Sequence, residues 1–420
     1  MGATCLGYWH RARQSDFVAK VGETFLTRIM LVGIGLITTV IVARMLGPEG
    51  RGIYAVATTV AAIGVQFGNL GLHASNTYYV AQDRALLSVL LSNSLVISFG
   101  LGSLGIVLGG LIFWGWPNLA PVQGLPLMIC LGWIPFGLAY LLMQNLLLGI
   151  HEIRKYNKID LLSKTGGLGL IILLVMSRLV YVETVLLCTL ATVIIGFTWS
   201  FLSLGRNLGR LPLPSLALFW KNLHYGIKAY LAALFSFLVF RINLLMIKYL
   251  LGAEQTGYYS IASIIADMMC LFPAVAGTIL FPRLSAMASR GEKWSLTKKV
   301  AWATGLCMLA GAVGAALLAG PAIRLLFGEA FLPAVPALIW LLPGVVILSV
   351  NICYMNYFAA MGMPMVTVYS PALAVLINIL LNLALIPSLG IVGASLAAVA
   401  AYSAMLMTSL VYIHSGRGAK

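Results

Sequence analysis

The sequence predicts an all-α membrane protein of about twelve transmembrane helices, in two six-helix lobes related by pseudo-two-fold symmetry around a central cavity. Composition is the first reason. Of 420 residues only 9% are charged and 61% are hydrophobic, where a water-soluble domain carries about a quarter charged residues. Mean hydropathy is +1.00. The second reason is block length: apolar stretches recur that reach the roughly 20 residues needed to cross about 30 Å of hydrocarbon. Backbone polar groups must be satisfied inside the lipid, so these stretches should be helices. The third is the placement of cations, which fall mostly on one side.

Taken in order, the blocks run over residues 24–45, 53–81, 86–114, 125–150, 159–178, 182–205, 222–250, 255–282, 298–319, 331–358, 364–386 and 390–413. The first, 24–45, is expected to remain as an anchor and not to leave as a signal peptide. The block 331–358 contains Pro333, Pro336 and Pro343 and is expected to be broken or kinked. Most of the 26 Lys and Arg residues lie on the side of the N-terminus, among them Arg11, Arg13, Lys20, Arg84, Arg154, Lys155, Lys158, Arg283, Arg290, Lys293 and Arg417. The opposite side holds Arg44, Arg51, Arg178, Lys248 and Arg324. By the positive-inside rule both termini should be cytoplasmic. The same rule explains the net charge of +15, so a nucleic-acid partner is not expected, and attraction to anionic lipid headgroups is. Of the six cysteines, five sit in apolar blocks and none forms a CxxC pair, so they read as small buried hydrophobes.

The stretch 206–221, RNLGRLPLPSLALFWK, divides the chain into an N-terminal lobe, 1–205, and a C-terminal lobe, 222–420. The halves begin alike. Leu46–Tyr54 reads LGPEGRGIY and Leu251–Tyr259 reads LGAEQTGYY, coinciding at five of nine positions. Each lies between the first two spans of its half, which makes the halves parallel repeats about an axis along the membrane normal.

The LGPEGRGIY hairpin, the LLGIHEIRKYNKID segment after the fourth span and the two six-span halves resemble the polysaccharide (O-antigen type) flippases of the multidrug/oligosaccharidyl-lipid/polysaccharide (MOP) exporter superfamily. The resemblance covers essentially the whole chain and is strongest over 24–82 and 140–165. It implies a multi-pass protein of the plasma (inner) membrane. Such a protein flips polyprenyl-diphosphate-linked oligosaccharide from the cytoplasmic to the outer leaflet by alternating access, for cell-surface polysaccharide biosynthesis. The related lipid II flippases usually have fourteen spans, and twelve counts against that branch. The implied partners are the lipid-linked glycan, the bilayer, H+ or Na+, and polysaccharide polymerase machinery. No cofactor and no metal are expected.

Polar groups inside the spans are the candidate site, because an ionisable residue there costs a few kcal/mol and usually faces the bundle interior or water. Lys20, Thr24, Thr27 and Arg28 share one face of the first span; Arg28 either snorkels to the headgroups or faces the cavity, as a basic residue does in the family it resembles. Gln66, Asn69, His73 and Asn76 fall on one stripe of the second span, either as helix-to-helix hydrogen bonds or as a polar wall for sugars. Arg241 and Asp267 lie about one turn apart in depth and either pair or line the cavity together. In the flippase reading Arg28, Arg241 and Lys228 bind the diphosphate, Gln66, Asn69, His73 and Asn76 contact the glycan, and Asp267 is the ion-coupling candidate. Asn378 with Asn382, and Asp160 with Lys164, are i,i+4 pairs that packing alone explains.

No Walker A loop, HExxH or GxSxG is present, so an enzyme is not expected and transport would use a gradient or run downhill. Two alternatives stand beside the flippase. A cation-coupled drug antiporter of the same superfamily should carry luminal acids, and Asp267 is the one deep acid here. A membrane glycan polymerase or ligase should have a long outer loop with catalytic Arg and His; the candidates 115–124 and 320–331 are short.

Overall fold

The structure, a computed structural model, describes residues 2–206 and 213–415, with side chains from residue 23 onward except 25. Residues 207–212 of the expected linker, the tail cations Arg417 and Lys420, and the side chains of Arg11, Arg13 and Lys20 lie outside the described residues.

The regular structure of the described residues is all helical, without a strand. The helices are α1 (Gly2–Asn69), α2 (Leu72–Gln82), α3 (Leu87–Gly115), α4 (Leu125–Gly149), α5 (Ile153–Met176), α6 (Val182–Gly205), α7 (Leu216–Leu251), α8 (Ala253–Met269), α9 (Leu271–Ala286), α10 (Arg290–Phe327), α11 (Ala334–Ala360) and α12 (Val366–His414). Among the described residues, ten stretches are long and apolar enough to cross a membrane. Two of these, Leu26–Asn69 and Val366–His414, have 44 and 49 residues, about twice what one crossing needs. Each is interrupted by a non-helical glycine, Gly47 (φ 65°) and Gly390 (φ 61°). The first therefore holds block 24–45 with 53–81 as far as Asn69, and the second holds blocks 364–386 and 390–413.

Three expectations change. The block 53–81 is not one helix: Leu70 (φ 48°) and Gly71 (φ 81°) separate the end of α1 from α2. No proline marks that break, so periodicity alone runs through it. The block 331–358, expected to be broken or kinked, is not broken: one helix covers all but its first three residues. Pro333 sits at the N-cap and Pro336 in the first turn of α11, where a missing N–H costs nothing. The helix continues through Pro343. The helix α7 also starts at Leu216, inside the stretch read as linker.

The internal repeat has a backbone counterpart. Gly47 adopts φ 65°, ψ −177° and its repeat mate Gly252 adopts φ 93°, ψ −176°. This left-handed value is open to glycine and strained for other residues. In both cases a new helical segment starts at once, with Pro48 or Ala253 as its first residue. The two turns also pack on one another through a second glycine pair. A Cβ on Gly52 would overlap the carbonyl oxygen of Ala253, and one on Gly257 would overlap that of Pro48. Because Pro48 and Ala253 occupy equivalent places in the repeat, each turn presents the same glycine to the same carbonyl of the other, as a two-fold contact requires.

Two compact units result. One comprises Met1–Val42, Gly64–Ile112 and Ile129–Gly226, with a core that includes Leu90, Leu91, Met143, Leu146 and Leu147. The other comprises Ala43–Ile63, Phe113–Met128 and Ile227–Lys420, cored by Val239, Ala266, Leu341, Val345, Ala398 and Tyr402. Large apolar side chains such as Trp302, Leu317 and Leu318 stay exposed. That is costly in water and costs nothing against acyl chains.

Candidate functional site

In the first unit, the start of α1's first span is fastened to the start of α5. Arg28 Nη2 donates to Tyr156 Oη at 3.1 Å. Asn157 Nδ2 donates to Thr24 Oγ1 at 3.1 Å. Arg154 pairs with Glu23 at 3.2 Å. The three donors and acceptors come from the RKYN run, so that segment orients the face carrying Arg28. The guanidinium is exposed in a span of mean hydropathy 2.3, and its partner Tyr156 Oη is neutral, so this bond does not cancel its charge.

The stripe on the second span is divided by the Leu70–Gly71 break. Gln66 and Asn69 lie before it, His73 and Asn76 after it. Asn69 bridges the gap: its Oδ1 accepts from His73 N at 3.2 Å and its Nδ2 lies 2.6 Å from His73 Nδ1. Asn69 and Asn76 are buried, at 1% and 2% exposure, while Gln66 and His73 are half-buried. Asn76 donates to Ser94 Oγ at 2.9 Å and accepts from Asn222 Nδ2 at 3.1 Å. One residue from Ser94, Asn93 holds the backbone of Ser215 by two bonds, of 3.0 and 2.8 Å. These amides anchor the start of α7 to α2 and α3. Sequence spacing could not show Ser94 and Asn222 as the partners of Asn76, because both stand on other helices.

In the second unit, Arg241 Nη2 lies 3.3 Å from Asp267 Oδ2, with the two side chains 33% and 37% exposed. The sequence left an ion pair and a shared lining of the cavity open; the structure pairs them. Two residues from Arg241, an amide cluster lies buried. Asn382 Nδ2 donates to Asn243 Oδ1 at 2.8 Å and to Asn378 Oδ1 at 2.9 Å. Asn378 donates to Val239 O at 3.2 Å, and Asn243 to Tyr259 Oη at 2.8 Å. Asn378 and Asn382 are thus interhelical ties, and they fix the part of α7 that bears Arg241. Lys228 is half-buried on α7. Asp160 accepts from Tyr140 Oη at 3.3 Å.

Residues 17–288 match the family described as polysaccharide biosynthesis protein. The chain belongs to that family. Among curated relatives it is 21% identical over 271 residues to the Probable low-salt glycan biosynthesis flippase Agl15 of Haloferax volcanii, covering 64% of this chain and 56% of that one. It is 26% identical over 160 residues to the uncharacterized membrane protein MJ1068 of Methanocaldococcus jannaschii, covering 37% of this chain and 32% of that one. The match thus spans about half of the first relative and a third of the second. Among solved structures, the lipid II flippase MurJ in an inward closed conformation has a TM-score of 0.76 at 16% identity, covering 94% of this chain and 87% of that one. An inward-facing MATE family transporter of the MOP superfamily has a TM-score of 0.72 at 14% identity, covering 91% and 93%. This polysaccharide biosynthesis family member therefore has the fold of MOP superfamily transporters.

Proposed function

We propose that the protein flips polyprenyl-diphosphate-linked oligosaccharide of the O-antigen type from the cytoplasmic to the outer leaflet of the plasma membrane, for cell-surface polysaccharide biosynthesis. The observation that carries this is Arg28: a guanidinium inside a membrane-crossing segment, held by a neutral hydroxyl, in a member of a polysaccharide biosynthesis family. A diphosphate entering hydrocarbon must exchange its water for charge-assisted donors, and the planar guanidinium supplies two at once. Arg241 and Lys228 are the further diphosphate ligands in this reading. Gln66 and His73, half-buried, contact the glycan, with Asn69 holding His73 and Asn76 tying the same helix to Ser94 and Asn222. The lobes 1–205 and 222–420 alternate access to the two faces, with both termini in the cytoplasm and the polymerase machinery receiving the product. The protein carries out no chemistry on its cargo.

The Arg241–Asp267 pair suggests how an ion would enter. A proton or sodium ion taking the Asp267 carboxylate releases Arg241 to the phosphate, so ion and substrate binding reinforce one another.

The test is flipping in proteoliposomes with a fluorescent polyprenyl-diphosphate oligosaccharide. Arg28→Ala and Arg241→Ala should each lower the rate by about tenfold or more, in keeping with ~1.5–3 kcal/mol for a hydrogen bond to a charged group. Full rates in both variants at normal reconstitution would remove the cation site. Uptake of an organic cation by the wild type, with no lipid flipped, would favour the antiporter.

A further inference from the structure

The first unit carries an aromatic cluster that none of the roles above uses. Tyr78 and Tyr79 stand on α2 and Tyr225 on the first turns of α7. Tyr78 and Tyr225 are stacked, with ring centroids 4.3 Å apart and planes 16° from parallel. Tyr79 meets both edge-on, at 5.2 and 5.6 Å. Lys221, one turn before Tyr225, places its Nζ 5.0 Å from the centroid of Tyr79.

Two properties separate this cluster from ordinary core packing. Its base is rigid: the Asn76–Asn222 amide bond joins the same two helices a turn away, and Gly226 packs so closely on Gly71 that a Cβ there would crowd the Gly71 carbonyl at 2.7 Å. Its top is open: Tyr78 is 39% and Tyr225 47% exposed, and Lys221 is exposed. A pre-organised tyrosine pair with a cation beside it offers an apolar ring face, phenolic hydroxyls and one positive charge. A pyranose has the matching parts. Its C–H face lies on an aromatic ring, its hydroxyls meet phenols, and a phosphate at its anomeric carbon meets an ammonium.

We infer that Tyr78, Tyr225 and Lys221 form a sugar-binding platform for the pyranose next to the diphosphate of a lipid-linked glycan, presented from the cytoplasmic leaflet. This rests on the flippase reading and adds to it a station that reads the sugar and not only the charge. The tyrosines recognise the glycan, and the lysine recognises the phosphate joined to it.

The experiment compares equilibrium binding of two lipids to the purified full-length protein in nanodiscs: a polyprenyl-diphosphate disaccharide, and the same polyprenyl diphosphate without sugar. Wild type should bind the first more tightly. Tyr78→Ala and Tyr225→Ala should each weaken it by about three- to tenfold, the worth of one aromatic stacking contact, and move the sugar-free lipid by less than twofold. Tyr225→Phe, which keeps the ring, should retain most of the preference and guards against loss through misfolding. Lys221→Gln should weaken both lipids. Equal losses for both lipids in the tyrosine variants would make the cluster a lipid-interface anchor and overturn the platform. Variants that all keep the wild-type preference would overturn it too. A wild type that binds neither lipid would instead overturn the flippase reading beneath it.

Discussion

At the level of single residues, charge and burial sort the polar groups of the spans into two kinds. Asn69, Asn76, Asn243, Asn378 and Asn382 are buried at no more than 2% exposure and spend their amides on neighbouring helices. Arg28, Gln66, His73, Arg241 and Asp267 keep part of their surface open. The first kind builds and the second is free to act. Asp267 shows the difference most directly, because its one strong partner is a cation that a diphosphate would also claim. Asp267→Asn leaves Arg241 without its counter-charge. Flipping driven by an ion gradient should then fall to the downhill rate, while downhill movement persists. Rates measured with and without a proton or sodium gradient check this, and an unchanged gradient response would remove Asp267 from coupling. Sequence spacing already put all of these residues inside spans. It could not separate the two kinds, since that depends on whether a partner from a distant helix arrives.

The deciding feature among the elements is the pair of hairpin turns. Each uses one glycine for a left-handed backbone, Gly47 or Gly252, and a second for close approach, Gly52 or Gly257. The second use is the more demanding, because the opposing atom is a backbone carbonyl that cannot swing aside as a side chain can. Gly52→Ala and Gly257→Ala should each destabilise the detergent-solubilised protein by about 1–3 kcal/mol, the usual cost of overpacking. Gly314→Ala, on α10 with open space around its added Cβ, should be neutral or better. Thermal unfolding of the three variants against wild type checks the contrast, and equal melting would mean that the turns do not pack as described. The repeat that reveals these glycines was visible in the sequence as LGPEGRGIY and LGAEQTGYY. Their contact was not, because similarity along the chain does not say that two segments touch. The Leu70–Gly71 break was missed for a related reason. An apolar pattern persists across it, and only the left-handed backbone of Leu70 and Gly71 shows where the helix gives way.

For the molecule as a whole, the asymmetry of Lys and Arg predicts that the loop before α10 is cytoplasmic and the segment after α3 is outside. Ser289→Cys and Gln123→Cys, both at exposed positions, should react with a membrane-impermeant thiol reagent from opposite sides. With the native cysteines replaced, labelling of intact cells should reach position 123 and spare 289. The reverse would invert the topology and with it the direction proposed for transport. What the sequence determined by itself was set by the solvent: hydrocarbon forces every crossing segment to be a long apolar helix, so the all-helical class, most of the long apolar helices and the doubled hairpin could be read from it alone. What only the tertiary structure decided was which polar side chains meet. Arg28 with Tyr156, Asn76 with Asn222, Arg241 with Asp267 and the Tyr78–Tyr225 stack all join separate helices. Inside a membrane the apolar effect does not choose among helix faces, so close packing and hydrogen bonds between residues distant in the chain made that choice.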